Sequence, residues 1–231
     1  MNNKGKLIVI EGIDGSGKST QKELLSKKLE SKSLKVKSMH FPRHDQKFFG
    51  VMVDQYLNGQ FGQAVKVNPY IASLLYACDR WEAKQQLENW LENGYVVILD
   101  RYMSSNKGHQ VSKFPLGQEA IRLLEWLDEL EYDIFKIPRP DLVIYLQMPI
   151  TEVVKLMSDR LSDDKGYIQG KFDHHESDTS YLIATQKAYE FVANRYDYWE
   201  VINCSEDGSL MSIEKVHEKI WALLKDSKLL D

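Results

Sequence analysis

A glycine-rich segment near the beginning of the chain carries residue types that bind phosphate groups. Residues 11–21 read EGIDGSGKSTQ, which contains the spacing G-x-x-x-x-G-K-[ST]. Glycines let backbone N–H groups turn toward phosphate oxygens, and the positive end of the following helix lies behind them. Lys18 would reach the β- and γ-phosphates, and the hydroxyl of Ser19 would bind Mg²⁺. We therefore expect a nucleoside triphosphate to contact Gly12, Ile13, Asp14, Gly15, Ser16, Gly17, Lys18, Ser19 and Thr20.

A carboxylate at the end of an apolar run is the second feature that points to phosphate chemistry. Residues 96–100 read VVILD, a buried strand that ends at Asp100. In phosphate-loop proteins an aspartate in this position commonly holds Mg²⁺ beside the phosphates, directly or through water. The alternative is a surface ion pair between Asp100 and Arg101, the residue that follows it.

The elements that must position these residues alternate along the chain. Apolar runs predict strands at 7–10, 34–41, 95–99, 142–146 and 201–203. Helical spacing predicts helices at 21–31, 48–57, 68–90, 116–130, 151–158, 177–193 and 212–224. The stretch 101–115 is expected to be a loop, and 161–176 a polar segment. Strands that alternate with helices indicate an α/β fold with a mostly parallel sheet covered on both faces.

Composition limits the classes of protein that fit. The 231 residues suit one domain over residues 1–231, and 43% hydrophobic with 28% charged residues is ordinary for an enzyme. No apolar run approaches the ~20 residues of a membrane span, and the first strand follows too closely on Met1 for a signal peptide. The net charge of −4 argues against a general nucleic-acid partner. Cys78 and Cys204 follow no metal or disulfide spacing, so we expect reduced thiols in a cytoplasmic protein.

Five segments in order along the chain carry a resemblance to a known family. They are EGIDGSGKSTQ, FPR at 41–43, LLYACDR at 74–80, DRYMSSN at 100–106 and PRPDLVIYL at 138–146. Together they resemble the thymidylate kinases (dTMP kinases), over nearly the whole chain. The resemblance implies a P-loop NTPase-type three-layer fold with a five-stranded, mostly parallel sheet and a short lid. It also implies transfer of the γ-phosphoryl group of ATP to dTMP, giving dTDP and ADP, in dTTP biosynthesis by a homodimer.

The same resemblance assigns site residues. Arginine forks at Arg43 and Arg101 would grip the acceptor phosphate, since a guanidinium matches two phosphate oxygens. Tyr76 would stack on thymine, Arg80 would meet the base or phosphate, and Asn106 would read the edge of the base with its amide. The full substrate-binding set is Asp14, Phe41, Arg43, Tyr76, Arg80, Arg101, Ser105, Asn106, His109 and Gln110. From helix spacing alone, a core tyrosine and an arginine paired with a nearby acid would fit positions 76 and 80 as well.

Catalysis and metal binding are assigned in the same way. Lys18, Arg101 and Arg160 are the expected catalytic residues, and Ser19, Asp100 and Asp14 the expected Mg²⁺ ligands. Family members without an arginine in the phosphate loop supply one from a lid, and here Ser16 occupies that place. The lid is expected at about 160–176, with Arg160 as the transition-state cation and Lys165 and Lys171 behind it. For either lysine the alternative is a solvated loop of mixed charge.

Two positions depart from the family pattern or suggest another site. His109 stands where many members have a tyrosine that crowds the 2′ position, which weakens the expected rejection of ribonucleotides. His174, His175 and Glu176 suggest a metal site by composition, but adjacent histidines in a polar loop are usually solvated, and a lid hinge is the better interpretation.

Other functions remain open at this point. The nearest is a kinase for another monophosphate (dUMP, UMP or dGMP) or for a deoxynucleoside, which would need Glu11 or Asp100 as a general base. A GTP-dependent switch should carry Asn-Lys-x-Asp, whereas residues 106–109 read NKGH. The intact Lys18, Ser19 and Asp100 argue against a binding module without turnover.

Overall fold

Five parallel strands form the centre of the protein. The structure is a computed structural model that describes residues 4–44, 47–64, 66–163 and 179–230. The side chains of residues 157–163 are not described. The strands are β1 (Lys6–Glu11), β2 (Val36–His40), β3 (Val96–Asp100), β4 (Leu142–Gln147) and β5 (Trp199–Asn203), in the order β2-β3-β1-β4-β5. This confirms the predicted α/β class and the five-stranded parallel sheet. Their apolar runs are continuous in β1, β3 and β4 because helices cover both faces of the sheet.

The described part of the chain contains eight α-helices. They are α1 (Lys18–Glu30), α2 (Lys47–Leu57), α3 (Pro69–Glu92), α4 (Met103–Val111), α5 (Gln118–Asp128), α6 (Ile150–Asp163), α7 (Thr179–Ala193) and α8 (Ile213–Asp226). Helices α1 and α8 pack together on one face, and α3, α4 and α7 pack together on the other. Right-handed crossovers account for the faces taken by α1, α3, α4 and α7, because the chain crosses from β1 to β2 in one direction and from β2 to β5 in the other. Helix α8 follows the last strand of this sheet.

Parallel pairing brings the carboxyl ends of the strands to one edge of the sheet. Ile10 of β1 lies beside Asp100 of β3, and Glu11 of β1 lies beside Tyr145 of β4. The phosphate-loop sequence follows β1 directly, and Arg101 follows β3. In an open parallel sheet this edge is where ligands bind, so the topology gathers the predicted site residues there.

The expected loop at 101–115 is wrong, because helix α4 occupies residues 103–111. Its serines, asparagine and glycine are poor helix formers and show no apolar period, so sequence gave no helical signal. Tertiary contacts stabilise it. The buried carboxylate of Glu11 accepts hydrogen bonds from the backbone N–H of Tyr102 and the hydroxyl of Ser104, at 3.0 and 2.6 Å. Gly108 is required because a Cβ there would lie 2.5 Å from the ring of Tyr189 on α7.

Two helix ends and one additional strand pair also differ from the sequence expectation. Helix α6 runs to Asp163, five residues beyond its predicted end, so the polar segment expected at 161–176 begins as helix. The helix predicted at 116–130 ends at Asp128 and continues as a π-helical turn, Glu129–Ile134. A short antiparallel pair, β6 (Ser205–Glu206) with β7 (Ser209–Leu210), was not expected.

Candidate active site

The phosphate loop turns sharply between β1 and α1. Gly15 and Gly17 have φ of 81° and 84°, which an L side chain rarely adopts, and α1 begins immediately after Gly17. The backbone N–H groups at the start of α1 therefore point out of the helix toward the loop. Lys18 is buried, and its Nζ donates to the carbonyl oxygen of Ile13 at 2.9 Å. This geometry is an anion-binding concavity with a lysine ammonium inside it.

Ser19 and Asp100 meet at the base of this concavity. The Ser19 hydroxyl donates to Oδ2 of Asp100 at 2.6 Å, across 81 positions of sequence. The pair forms because β1 and β3 are neighbours in the sheet and both end at the same edge. A hydroxyl and a carboxylate oxygen are hard ligands of the kind that Mg²⁺ prefers. Among the described residues, no cluster of three His, Cys, Asp or Glu side chains is close enough to hold a metal without the nucleotide.

Arg101 connects the phosphate loop to helix α4. Its φ of 67° is left-handed, a conformation that costs a non-glycine residue about 1 kcal/mol or more. The guanidinium forms an ion pair with Asp14, while Nη1 lies 2.9 Å from Nε2 of His109 and 3.4 Å from the hydroxyl of Ser105. Nδ1 of His109 lies 2.9 Å from the hydroxyl of Tyr181 on α7.

The charges around the phosphate loop shift the pKa values of Asp14 and Lys18. Burial alone would raise the pKa of Asp14, but the positive charges of Arg101 and Lys18 outweigh it and hold that pKa below its usual range. Burial lowers the pKa of Lys18, and the charge of Arg101 acts in the same direction against the nearby carboxylates.

Two cavities lie at this edge of the sheet and share a wall. One, of about 420 Å³, is lined by the phosphate loop, including Gly15, Gly17, Lys18, Ser19 and Thr20, and by Asp100. The other, of about 540 Å³, extends between α3 and α4. Asp14, Phe41, Pro42, His44 and Arg101 line both of them. A triphosphate in the first cavity and an acceptor in the second would meet at this wall.

The larger cavity brings together most of the predicted acceptor residues. Its lining includes Asp14, Phe41, Tyr76, Arg80, Arg101, Ser105, Asn106, His109 and Gln110. Tyr76 packs edge-on against Tyr56, with ring centroids 6.0 Å apart, so its side chain is ordered beside the cavity. Of the predicted triphosphate contacts, Gly12, Ile13 and Ser16 do not line the smaller cavity. Gly12 packs behind the loop, where a Cβ would lie 2.3 Å from the Ser16 hydroxyl oxygen.

The structure does not bring Arg43 to either cavity. Its guanidinium is buried and donates to a carboxylate oxygen and the backbone oxygen of Asp79, at 2.8 and 2.9 Å, and to Glu82 at 2.7 Å. All three acceptors lie on α3. In this arrangement Arg43 anchors the segment after β2 to α3, and gripping an acceptor phosphate would require it to leave these partners.

Sequence reasoning gave Glu11 only one conditional role, as a general base in a nucleoside kinase. In the structure its carboxylate is fully buried and accepts hydrogen bonds from Tyr102, Ser104, Ser105 and Tyr189. With both oxygens occupied in this way, Glu11 holds α4 in place and is not free to take a proton from a hydroxyl group. The signal was available, because an acid that ends a fully apolar strand must find buried partners.

Several predicted groups fall outside what the structure describes. Arg160 belongs to helix α6, but the structure describes only the backbone at this position and not the side chain. Lys165, Lys171 and the sequence His174, His175 and Glu176 lie outside the described residues, as does most of the expected lid. Their assignments stay predictions.

Comparisons with known proteins identify the family of the chain. A family model described as thymidylate kinase matches residues 10–220. The chain belongs to the thymidylate kinase family. A probable thymidylate kinase from Pyrococcus abyssi is 30% identical over 98% of both chains. A thymidylate kinase from Schizosaccharomyces pombe is 37% identical over 146 residues, 63% of this chain and 62% of that protein.

A solved structure of the Candida albicans thymidylate kinase extends the likeness to three dimensions. It superimposes with a TM-score of 0.73 at 26% identity, covering 99% of this chain and 94% of that one. The P-loop NTPase-type fold expected from the resemblance is thereby confirmed. The enzyme transfers the γ-phosphoryl group of ATP to dTMP, the reaction of the thymidylate kinase family. The comparisons give no support to another monophosphate or a deoxynucleoside as the acceptor.

Proposed function

We propose that transfer occurs at the wall shared by the two cavities, with Lys18, Arg101 and Arg160 as the catalytic cations. The observation that carries the proposal is the position of Arg101, which lines both cavities and is tied to the phosphate loop through Asp14. An acceptor phosphate oxygen is already nucleophilic, so the reaction needs positioning and neutralisation of charge rather than a covalent enzyme group. We further propose a single kinase domain over residues 1–231, with a lid at about 160–176 that excludes water when it closes.

A coupled assay of ADP release tests whether the larger cavity accepts dTMP in preference to other nucleotides. The substrates would be dTMP, dUMP, dCMP, CMP, AMP, dGMP and thymidine, each at several concentrations with ATP held constant. We expect dTMP to give the highest kcat/KM, dUMP a lower one, and CMP and AMP very little turnover. Turnover of thymidine above that of dTMP, or preference for a purine monophosphate, would contradict the assigned acceptor site.

The metal in this proposal is Mg²⁺, bound with ATP. The hydroxyl of Ser19 and the carboxylate of Asp100 would hold it, because both offer hard oxygen ligands and Oγ of Ser19 lies 2.6 Å from Oδ2 of Asp100. Asp14 is the third proposed ligand. When bound, the ion neutralises negative charge on the phosphates. Asp100→Asn should raise the Mg²⁺ concentration that gives half-maximal rate. Glu30→Gln, which changes an exposed carboxylate at the end of α1 opposite the loop, is the matched control.

We also propose a homodimer that forms through the outer face of α2 and α3. Helices α2 and α3 pack against each other, and both carry exposed apolar side chains: Phe48 and Val51 on α2, and Ile71, Leu74 and Trp81 on α3. Trp81 is 50% and Ile71 57% exposed, and large exposed apolar side chains are typical of a subunit interface. Sedimentation velocity should show a dimer, and Leu74→Lys with Trp81→Lys should give a monomer. Ile213→Lys, an equally exposed position at the start of α8, should leave the dimer intact.

The cellular setting is proposed from chemistry alone. Cys78 and Cys204 are both free thiols, which fits a reducing compartment such as the cytoplasm. No helix in the described part of the chain has the length and apolar character needed to cross a membrane. A kinase that makes dTDP would act one phosphorylation before dTTP, so we place it in dTTP biosynthesis, with ATP and dTMP rather than nucleic acid as its partners.

A further inference from the structure

We propose that Glu131 is a positioning residue that sets the hydrogen-bonding pattern of the base site. It lies in the π-helical turn Glu129–Ile134, outside the predicted site, and its side chain is fully buried. Neither the phosphate loop nor the two cavities include it. A buried carboxylate without partners would be strongly unfavourable, so its contacts define what it does.

Both carboxylate oxygens of Glu131 bind residues that line the acceptor cavity. Oε2 accepts from Nε of Arg80 and Oε1 from Nη2 of Arg80, both at 2.6 Å. Oε1 also accepts from Nδ2 of Asn106 at 3.1 Å. One buried acid therefore holds the two polar side chains proposed to read the base, one from α3 and one from α4.

These contacts fix the orientation of the Asn106 amide. Nδ2 donates to the backbone oxygen of Ser73 and to Glu131, both at 3.1 Å. A flipped amide would direct its own oxygen at those two acceptors and lose both bonds. The two hydrogens of Nδ2 are thus occupied by the protein, and the carbonyl oxygen of Asn106 is the group left for a ligand. From the sequence, the Asn106 amide was expected to offer a ligand both a donor and an acceptor. In this arrangement only the acceptor is left.

The guanidinium of Arg80 is constrained in the same way. The bidentate pair with Glu131 uses the Nε hydrogen and one hydrogen of Nη2, which leaves the two hydrogens of Nη1 and the second hydrogen of Nη2 as donors. The site thus offers an acceptor on Asn106 and a donor on Arg80. A pyrimidine 2,4-dione, such as thymine, presents the complementary N–H donor beside a carbonyl acceptor. Cytosine presents the reverse pair and would leave buried polar groups unsatisfied.

This inference rests on the proposed placement of the base against Asn106 and Arg80, and the first experiment tests that placement separately. In Asn106→Ala, the dTMP-to-dCMP ratio of kcat/KM should fall by about tenfold or more. If the ratio does not change, the base does not lie against Asn106 and the proposed site is wrong. If it falls, the role of Glu131 can be tested on its own.

Glu131→Gln is the test of the positioning role. A glutamine has one acceptor oxygen and an NH₂ group, so it cannot hold Arg80 and Asn106 together as the carboxylate does. We expect the dTMP-to-dCMP ratio of kcat/KM to fall by about tenfold or more. Partial unfolding would lower the activity toward both substrates equally and leave their ratio unchanged. Glu129→Gln, an exposed acid on the same turn, is the matched control and should keep the wild-type ratio.

A binding measurement on the unaltered protein tests the orientation of the Asn106 amide that Glu131 is proposed to fix, and its outcome does not depend on whether Glu131→Gln folds. The acceptor oxygen of Asn106 requires an N–H at position 3 of the base, and N3-methylthymidine monophosphate lacks it. Calorimetry should show binding at least about tenfold weaker than that of dTMP. Equal binding of the two nucleotides, or an unchanged substrate ratio in a folded Glu131→Gln protein, would overturn the inference.

Discussion

The carboxylate of Asp14, in the phosphate loop, is ion-paired with the guanidinium of Arg101, which follows β3. The two residues are 87 positions apart in sequence and line both cavities. The pair couples the position of the triphosphate site to that of the acceptor site, because Arg101 also contacts His109 on α4.

Replacing Asp14 should reduce turnover without shifting the pH profile. Asp14→Asn removes the charge that orients Arg101, so we expect kcat to fall by about tenfold or more.

The pKa of Asp14 is lowered in the folded protein, so the carboxylate is ionised throughout pH 5–8. Its contribution to stability is present above the unfolded pKa and is lost as pH falls through the lowered folded pKa. The stability difference between wild type and Asp14→Asn should therefore be constant from pH 5 to 8 and shrink only below about pH 4. A shrinking difference near pH 6 in chemical denaturation would contradict this.

Lys18→Ala should abolish turnover and leave the fold intact. Lys18 contacts the phosphate loop rather than the apolar core, and loss of one such cation from a phosphoryl-transfer site costs on the order of 10³-fold or more in rate. Lys27 is an exposed lysine further along α1 that lines neither cavity, and Lys27→Ala is the matched control. Circular dichroism would verify folding. Substantial activity in a folded Lys18→Ala protein would rule out the proposed role.

Arg160→Ala should lower kcat with little change in KM for dTMP. An interaction made chiefly in the transition state shows this pattern, whereas a nucleotide clamp raises KM for ATP with kcat unchanged. Lys155, an exposed cation earlier on α6, provides the control variant Lys155→Ala. If Arg160→Ala behaves like the control, Lys165→Ala and Lys171→Ala would be measured next.

His109→Tyr should increase discrimination against ribothymidylate. His109 lines the acceptor cavity and lies between Arg101 and Tyr181, at 2.9 Å from each. A tyrosine is larger and would reduce the space beside the sugar, so the ratio of kcat/KM for dTMP over ribothymidylate should rise. Such steric differences are typically worth about 1–3 kcal/mol. An unchanged ratio would show that the 2′ position is read elsewhere.

Lys107 should make stability depend on pH in the alkaline range. It is fully buried on α4, 2.8 Å from Asp128 and 3.4 Å from the centre of the Tyr196 ring. Burial lowers its pKa to about 8, with Asp128 opposing the shift. Between this value and the unfolded pKa, the unfolded chain binds more protons, so stability rises with pH.

The stability of wild type relative to Lys107→Met should therefore increase by about 2 kcal/mol from pH 7 to pH 9.5. This range ends below the pH at which the neighbouring tyrosines ionise, because burial raises the pKa of Tyr132 and of Tyr196. Urea denaturation of both proteins at each pH gives the difference directly. A difference that does not vary with pH would show that the lysine titrates normally.

The sequence by itself determined the five parallel strands, the phosphate loop and the presence of Asp100 at a strand end. These features are local, since an apolar run, a glycine spacing and a terminal carboxylate can each be identified within about ten residues. Because strands that alternate with helices form a parallel sheet, the carboxyl ends of the strands must lie at the same edge of that sheet. For the same reason the boundaries of α3, opened by Asn68 and Pro69, were predicted to within two residues.

Only the tertiary structure decided which partners the polar side chains take. Helix α4 has no helical sequence signal and depends on Glu11, 93 positions from Ser104. Arg43 is held by Asp79, 36 positions away, and Arg80 by Glu131, 51 positions away. A buried charge must be paired, but sequence does not say by which group, because the choice depends on how helices pack over the sheet. That packing directs Arg43 away from the cavities and makes Glu131 the partner of the residues proposed to read the base.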